Sequence, residues 1–119
     1  MGGMQMSGMT ILCIEDQSEY MATLTCMLEG IGYEVLPASN GGQAIDFLTS
    51  QAVDGVLLEY NLQDAAGTEL RAQLKAIRPD IPVLLFDGIG SQTPFMLRFF
   101  DAYLRNAERV GDELGDLEV

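Results

Sequence analysis

Short apolar runs alternate along the chain with longer segments in which apolar residues recur every three or four positions. The runs are typical of buried strands, and they lie at residues 10–14, 33–37, 53–60 and 81–86. The periodic segments are typical of helices with one buried side, and they lie at residues 18–31, 40–48 and 68–77. Strands that alternate with helices in this way predict right-handed crossovers and a parallel sheet with helices on both faces.

The last quarter of the chain allows two structures. Heptad spacing predicts one long helix able to dimerise, with a stripe formed by Met96, Phe100, Tyr103, Ala107, Val110, Leu114 and Leu117. Against it, Gly111 and Gly115 would each cost a helix about 1 kcal/mol relative to Ala. The alternative is a short helix at 94–100, a fifth strand at 101–105 and a final helix. We favour it because a sheet that ended on its fourth strand would leave an apolar edge uncovered.

The composition indicates one acidic domain. We expect a disordered leader at residues 1–8 and a single domain at residues 9–117. A net charge of −12, with six Lys plus Arg and no His, disfavours nucleic acid or an anionic membrane as a partner and favours a cation or a basic protein surface. The sequence has neither a membrane-spanning apolar run nor a secretory signal, so we expect a cytoplasmic protein. Cys13 and Cys26 are expected to be buried, reduced thiols, with a disulfide or a metal pair as the alternative.

Acidic residues follow three of the predicted strands. Glu15 and Asp16 come after the first, Glu59 ends the third and Asp87 follows the fourth. Because parallel strands end at a common edge, these carboxylates are expected to meet there and to form a site for a hard cation. Their mutual repulsion predicts one of two outcomes. Either a divalent cation is bound, or at least one carboxyl is protonated with a raised pKa.

Several segments, in their order and spacing, resemble the receiver domain of two-component response regulators over about residues 9–114. The segments are Ile11-Leu12-Cys13-Ile14-Glu15-Asp16, Gly32-Tyr33-Glu34-Val35, Ala38-Ser39-Asn40-Gly41, Val53-Asp54-Gly55-Val56-Leu57-Leu58-Glu59, Gly67, Ile81-Pro82-Val83 and Asp101-Ala102-Tyr103-Leu104-Arg105. The resemblance implies a doubly wound, flavodoxin-like (βα)5 fold with a five-stranded parallel sheet, here with its last βα unit shortened.

The same resemblance implies a set of site residues. It implies Mg²⁺ held by Glu15, Asp16, Glu59 and the backbone carbonyl of Asn61. The phosphoacceptor Asp of the family falls at Glu59. The family's Ser or Thr that binds the phosphoryl group falls at Asp87, its Lys at Asn106 and its switching aromatic residue at Tyr103.

Three of these positions depart from the family pattern. Glu59 is one methylene longer than Asp, Asp87 replaces a hydroxyl donor with an acid, and Asn106 removes a cation. A displaced nucleophile can cost about 100-fold in rate. We therefore expect a pseudo-receiver whose phosphoryl transfer is disabled. The alternatives are a phosphorylatable receiver, or a receiver in which Glu59 mimics the phosphorylated state.

The functional expectation is a stand-alone, bacterial response-regulator receiver in a phosphorelay that is not an enzyme. A small hydrolase built on the acid cluster is disfavoured, because the chain has no His and no nearby Lys. The expected partner is a protein, either a sensor kinase or a downstream effector. Residues 94–117 could also form a homodimer. The aromatic surface expected to contact a partner contains Phe95, Phe99, Phe100 and Tyr103.

Overall fold

The structure, a computed structural model, describes residues 8–106 and 116–118. The elements in chain order are β1 Thr10–Ile14, α1 Ser18–Gly30, β2 Glu34–Ala38, α2 Gly41–Ser50, β3 Gly55–Glu59, α3 Gly67–Ile77, β4 Val83–Phe86, α4 Thr93–Arg105 and β5 Asp116–Glu118. The predicted leader falls almost entirely on residues 1–7, which lie outside the described residues. No helix in the described ranges is long and apolar enough to cross a membrane.

The strands form one parallel sheet in the order β2-β1-β3-β4-β5. This confirms the α/β fold class. The register aligns the carboxyl ends of the central strands, since Ile14 pairs with Leu58 and Glu59 pairs with Phe86. The residues that follow β1, β3 and β4 therefore meet at a common edge, as the sequence predicted.

Alternate residues of the central strands face opposite sides of the sheet. One apolar core lies between the sheet and helices α2 and α3. The other lies between the sheet and helices α1 and α4. The right-handed crossover rule would place α4 with α2 and α3, because β5 continues the sheet in the direction already taken from β3 to β4. Packing explains the exception. Phe100 and Leu104 of α4 lie on the strands beside α1 and share the core of Leu57, Leu84 and Phe86.

The predicted fifth strand at residues 101–105 is wrong. Those residues form the last turn of α4, and Tyr103 and Leu104 are buried there. The spacing of Met96, Phe100 and Tyr103 indicates a helix with one buried side, and the sheet supplies the surface that buries it. The fifth strand is Asp116–Glu118, which pairs with β4. One helix running to Leu117 is therefore also wrong, and residues 107–115 lie outside the described ranges.

The expectation for the two cysteines also needs correction. Cys13 is buried and Cys26 is exposed, so the prediction of two buried thiols holds for Cys13 alone, and both are free. Burial, followed by the charge of Glu15, raises the pKa of the Cys13 thiol to about 12, which makes it unreactive.

Gly67 allows the start of α3 to lie against the end of β3. A Cβ atom there would be 2.8 Å from Leu85 Cδ1, 2.9 Å from the carbonyl oxygen of Glu59 and 2.9 Å from the Cα of Tyr60. Two of those atoms belong to the backbone, so relief would require the strand or the helix to move. We expect Gly67→Ala to lower the free energy of unfolding by about 1–3 kcal/mol in urea denaturation. Gly30→Ala is the matched control, because a Cβ atom there meets nothing within 4 Å. Equal stability of the two variants would contradict the packing argument.

Candidate functional site

Glu59 ends β3 and is only 4% exposed. Both of its carboxylate oxygens accept hydrogen bonds from backbone amides. The N–H of Asn61 donates to Oε2 over 2.9 Å, and the N–H of Gly88 donates to Oε1 over 3.0 Å. Gly88 has a φ of +75°, a conformation that glycine adopts without strain. The extra methylene of Glu59 therefore places its carboxylate between two amides from different loops.

Glu15 lies beside Glu59 and is 2% exposed. Its Oε2 atom accepts a hydrogen bond of 2.9 Å from the N–H of Gln17. Its Oε1 atom is buried and receives no hydrogen bond from the described part of the chain.

Burial raises the pKa of the Glu15 carboxyl to about 7, and the charge of Glu59 acts in the same direction. The Gln17 hydrogen bond acts in the opposite direction. A raised carboxyl pKa, one of the two predicted outcomes, thus falls on Glu15.

The other two strand-end acids turn towards loop residues. Asp16 Oδ2 accepts a hydrogen bond of 2.8 Å from the N–H of Gln63. Asp87 Oδ1 accepts one of 2.9 Å from the side-chain amide of Asn61. These bonds tie the β3–α3 loop to the loops after β1 and β4. The four acids thus share an edge, as predicted, but the close pair is Glu15 and Glu59.

Asn106 and Tyr103 do not lie at this edge. Asn106 follows the last residue of α4 and occupies its C-cap position. That end of the helix lies near the start of β3, since a Cβ atom on Gly55 would be 3.2 Å from Leu104. The hydroxyl of Tyr33, just before β2, donates a hydrogen bond to Asp101 one turn earlier. The assignment of Asn106 and Tyr103 to the pocket depended on the strand at residues 101–105 and fails with it.

Sequence reasoning did not identify the hydrogen-bond donors that position the carboxylates. The donors to Glu15, Asp16 and Glu59 are the backbone amides of Gln17, Gln63, Asn61 and Gly88. Any residue but proline carries such a donor, so side-chain identity gives no signal. A weak signal existed in Asp87-Gly88, because an Asp-Gly pair after a strand predicts a turn whose amides point to one side.

A magnesium ion fits this edge in the chemistry of its donors. Carboxylates and a backbone carbonyl are the oxygen ligands that Mg²⁺ prefers. The buried Oε1 atom of Glu15, which receives no hydrogen bond there, is an acceptor that a cation would satisfy. Within the described residues, however, no three His, Cys, Asp or Glu side chains are already grouped as metal ligands. Binding would therefore require side chains such as Asp16 to exchange their present hydrogen bonds for the ion.

The response regulator receiver domain profile matches residues 11–102. The chain belongs to this family. Receiver domains are phosphorelay signalling modules of two-component systems. They work with protein partners and bind Mg²⁺ at an acidic pocket.

Individual proteins are similar to the chain in sequence or in fold. The chain is 33% identical over 81 residues to the transcriptional regulatory protein ZraR of Klebsiella oxytoca, an alignment that covers 68% of this chain and 18% of ZraR. The chain therefore spans less than a fifth of that relative. A CheY-like receiver domain protein from Methanospirillum hungatei has a similar structure, with a TM-score of 0.65, 24% identity and coverage of 79% of this chain and 75% of that one.

A second structural neighbour was solved with a ligand. The response regulator TrrA from Thermotoga maritima, in complex with Mg²⁺ and BeF, has a TM-score of 0.64 and 22% identity. The alignment covers 76% of this chain and 79% of that one. At this identity the likeness shows the shared fold.

The raised pKa of Glu15 predicts how stability depends on pH. The folded value of about 7 exceeds the ordinary value of 4.5, so the folded state binds more protons than the unfolded state between these values. In EDTA, the free energy of unfolding should therefore decrease as the pH rises from about 4.5 through 7. Glu15→Gln should remove this contribution, leaving the variant about 1–3 kcal/mol more stable than the parent at pH 8. Urea denaturation at pH 5 and pH 8 measures both effects.

The matched control is Glu34→Gln, which removes a carboxyl from the exposed position at the start of β2. It should retain the parent's difference between pH 5 and pH 8. A Glu15→Gln variant that also retained the full difference would show that this carboxyl does not hold the extra proton.

Proposed function

We propose that this receiver domain signals by binding a protein and does not transfer phosphoryl groups. The observation that carries this proposal is the bonding of Glu59. Both oxygens of the carboxylate at the phosphoacceptor position are engaged by backbone amides, and the side chain is buried. In-line attack on a phosphoryl donor requires a free carboxylate oxygen at a fixed distance, and these amides hold the oxygens elsewhere.

The surroundings of Glu59 also disfavour an incoming phosphoryl group. The groups that shift the pKa of its neighbour Glu15 are two other acids and a backbone amide, and no basic side chain is among them. Asp87, at the position of the family's Ser or Thr, accepts a hydrogen bond from Asn61 and so offers a carboxylate where a donor is needed. Negative charge at both positions would repel a phosphoryl anion.

Magnesium belongs to this proposal as a structural ion. The residues that would hold it are Glu15, Asp16, Glu59 and the carbonyl of Asn61. When bound, such an ion neutralises carboxylate charge, so it would replace the proton of Glu15. The partner in this proposal is a sensor kinase or a downstream effector protein.

A second candidate function is supported by the same hydrogen bonds. In it, Glu59 acts as a permanent mimic of a phosphorylated residue. Two convergent amides are a site that binds anions, and the Glu59 carboxylate occupies it. Because Gly88 lies in the loop before α4, the carboxylate would hold that loop in one position without phosphorylation.

Phosphorylation tests the main proposal. We expect the parent incubated with acetyl phosphate and Mg²⁺ to show no phosphoprotein by intact-mass spectrometry. The double variant Glu59→Asp/Asp87→Thr restores the family's residues at both positions and should become phosphorylated. Asp87→Thr alone is the matched control and should stay unmodified, because it retains Glu59. A phosphorylated parent whose label disappears in Glu59→Gln would refute the proposal.

Hydrogen exchange tests the second candidate. Glu59→Gln keeps the length of the side chain and removes its charge, but its NH2 group is a donor, so its one oxygen can accept from only one of the Asn61 and Gly88 amides. We expect the amide that loses its acceptor to exchange roughly tenfold faster in the variant. Glu69→Gln, on the exposed surface of α3, is the control and should leave both rates unchanged. If the rates at Asn61 and Gly88 are both the same in Glu59→Gln and the parent, the carboxylate of Glu59 does not hold the loop.

A further inference from the structure

The charges of this chain are segregated along its sequence. No Lys or Arg precedes Arg71, whereas ten acidic residues do. Helix α1 carries Glu19 and Glu29 and no basic residue, whereas α4 carries Arg98, Arg105 and Asp101, and Arg105 forms an ion pair of 2.7 Å with Asp101. Because α1 and α4 cover the same face of the sheet, that face has an acidic helix beside a helix with basic side chains.

The outer side of α4 is also apolar. Phe95 is 75% exposed and Phe99 is 54% exposed, one helical turn further on. Arg98 and Ala102 are exposed as well and complete a stripe at positions i, i+3, i+4 and i+7. Two exposed phenylalanines that flank an arginine are typical of protein interfaces, in which aromatic residues and arginine are enriched.

The outer side of α1 complements this stripe in shape and charge. Ala22, Thr23 and Cys26 are exposed and small, so they leave a shallow surface on which large side chains can lie. Glu19 is exposed near the start of this surface and Glu29 near its end. The outer surface of α1 therefore has small side chains between two acidic residues, whereas that of α4 has exposed aromatic rings beside an arginine.

The two helices are matched in length and direction. Each has 13 residues and starts after the carboxyl end of a strand, so both run from that edge of the sheet towards the other. A two-fold axis that lies in the interface, parallel to both helices, would place α4 of one copy on α1 of the other. It would also make the reciprocal contact, which gives a self-complementary interface.

We propose that a second copy of this chain docks on the α1–α4 face, with each α4 on the α1 of the other copy. The phenylalanines Phe95 and Phe99 cover the small residues of the opposing α1, and Arg98 pairs with the opposing Glu19. This association goes beyond the proposed function, because it uses neither the acidic pocket nor its chemistry. An acidic surface of a different protein is the competing occupant.

The register of the helices allows the ion pair. Glu19 is the second residue of α1 and Arg98 is the sixth of α4, a difference of four residues. At 1.5 Å per residue the offset is about 6 Å along the axes, which an arginine side chain can span. The face is about 20 Å long, since each helix has 13 residues. An interface of this size belongs to the transient class, so we expect a dimer that dissociates on dilution.

A charge-reversal pair tests this arrangement in the full chain. Arg98→Glu and Glu19→Arg each put like charges at both contacts of a homodimer, and each should weaken it about tenfold or more. When the two variants are mixed, both contacts again join opposite charges, and a heterodimer should form with nearly the parent's affinity. Sedimentation velocity measures the affinity of dimerisation for the parent, for each of the two variants and for their mixture. Circular dichroism confirms that the variants are folded.

The matched control is Asp46→Arg, which makes the same charge change on the exposed surface of α2, on the opposite face. It should dimerise like the parent, and mixing it with Arg98→Glu should produce no heterodimer of parental affinity. The proposed contact is supported if Arg98→Glu regains the parent's affinity when it is mixed with Glu19→Arg but not when it is mixed with Asp46→Arg. A parent that stays monomeric at millimolar concentration overturns the proposal, and so does a dimer that neither reversal weakens.

Discussion

A carboxylate removed from water must be given hydrogen-bond donors or a counter-charge, and the geometry of the acidic edge follows from how Glu59 meets this requirement. Its donors are the backbone amides of Asn61 and Gly88, which belong to the loops after β3 and β4. The carboxylate therefore fixes the position of one loop relative to the other. The side-chain bond between Asn61 and Asp87 joins the same two loops a second time.

Glu15 is also a buried carboxyl group, but it receives fewer hydrogen bonds than Glu59. It lies against Glu59 in the same buried edge, yet only one of its oxygens accepts a backbone hydrogen bond. Burial, followed by the charge of Glu59, raises its pKa to about 7. Two chemically identical side chains thus receive different numbers of amide hydrogen bonds from their loops. A proton and a divalent cation are alternative ways to neutralise the pair, so they would compete for it.

The sequence predicts the sheet and the acidic edge well, because both depend on local patterns. A buried parallel strand is recognisable as an apolar run, and a residue that follows it must lie at the carboxyl edge, which is sufficient to bring Glu15 and Glu59 together. The prediction of a fifth strand at residues 101–105 is wrong because this segment is compatible with a strand or a helix. The apolar surface that Leu57, Leu84 and Phe86 present to α4 decides between them. That surface exists only in the assembled sheet. The amide donors were missed for another reason, since they belong to the backbone and leave no trace in side-chain identity.

The position of α4 changes where a signal could leave the acidic edge. Tyr103 is buried in the last turn of α4, away from Glu59, so rotation of this ring cannot report on the pocket directly. The first turn of α4 is linked to Glu59 more directly, through the loop that precedes the helix. Glu59 holds Gly88, the N–H of Gly90 donates to the buried hydroxyl of Thr93, and Phe95 lies two residues further on. A change of charge at Glu59 would therefore act first on the β4–α4 loop. It would reach the exposed phenylalanines through the start of the helix, provided that this loop has a second stable position.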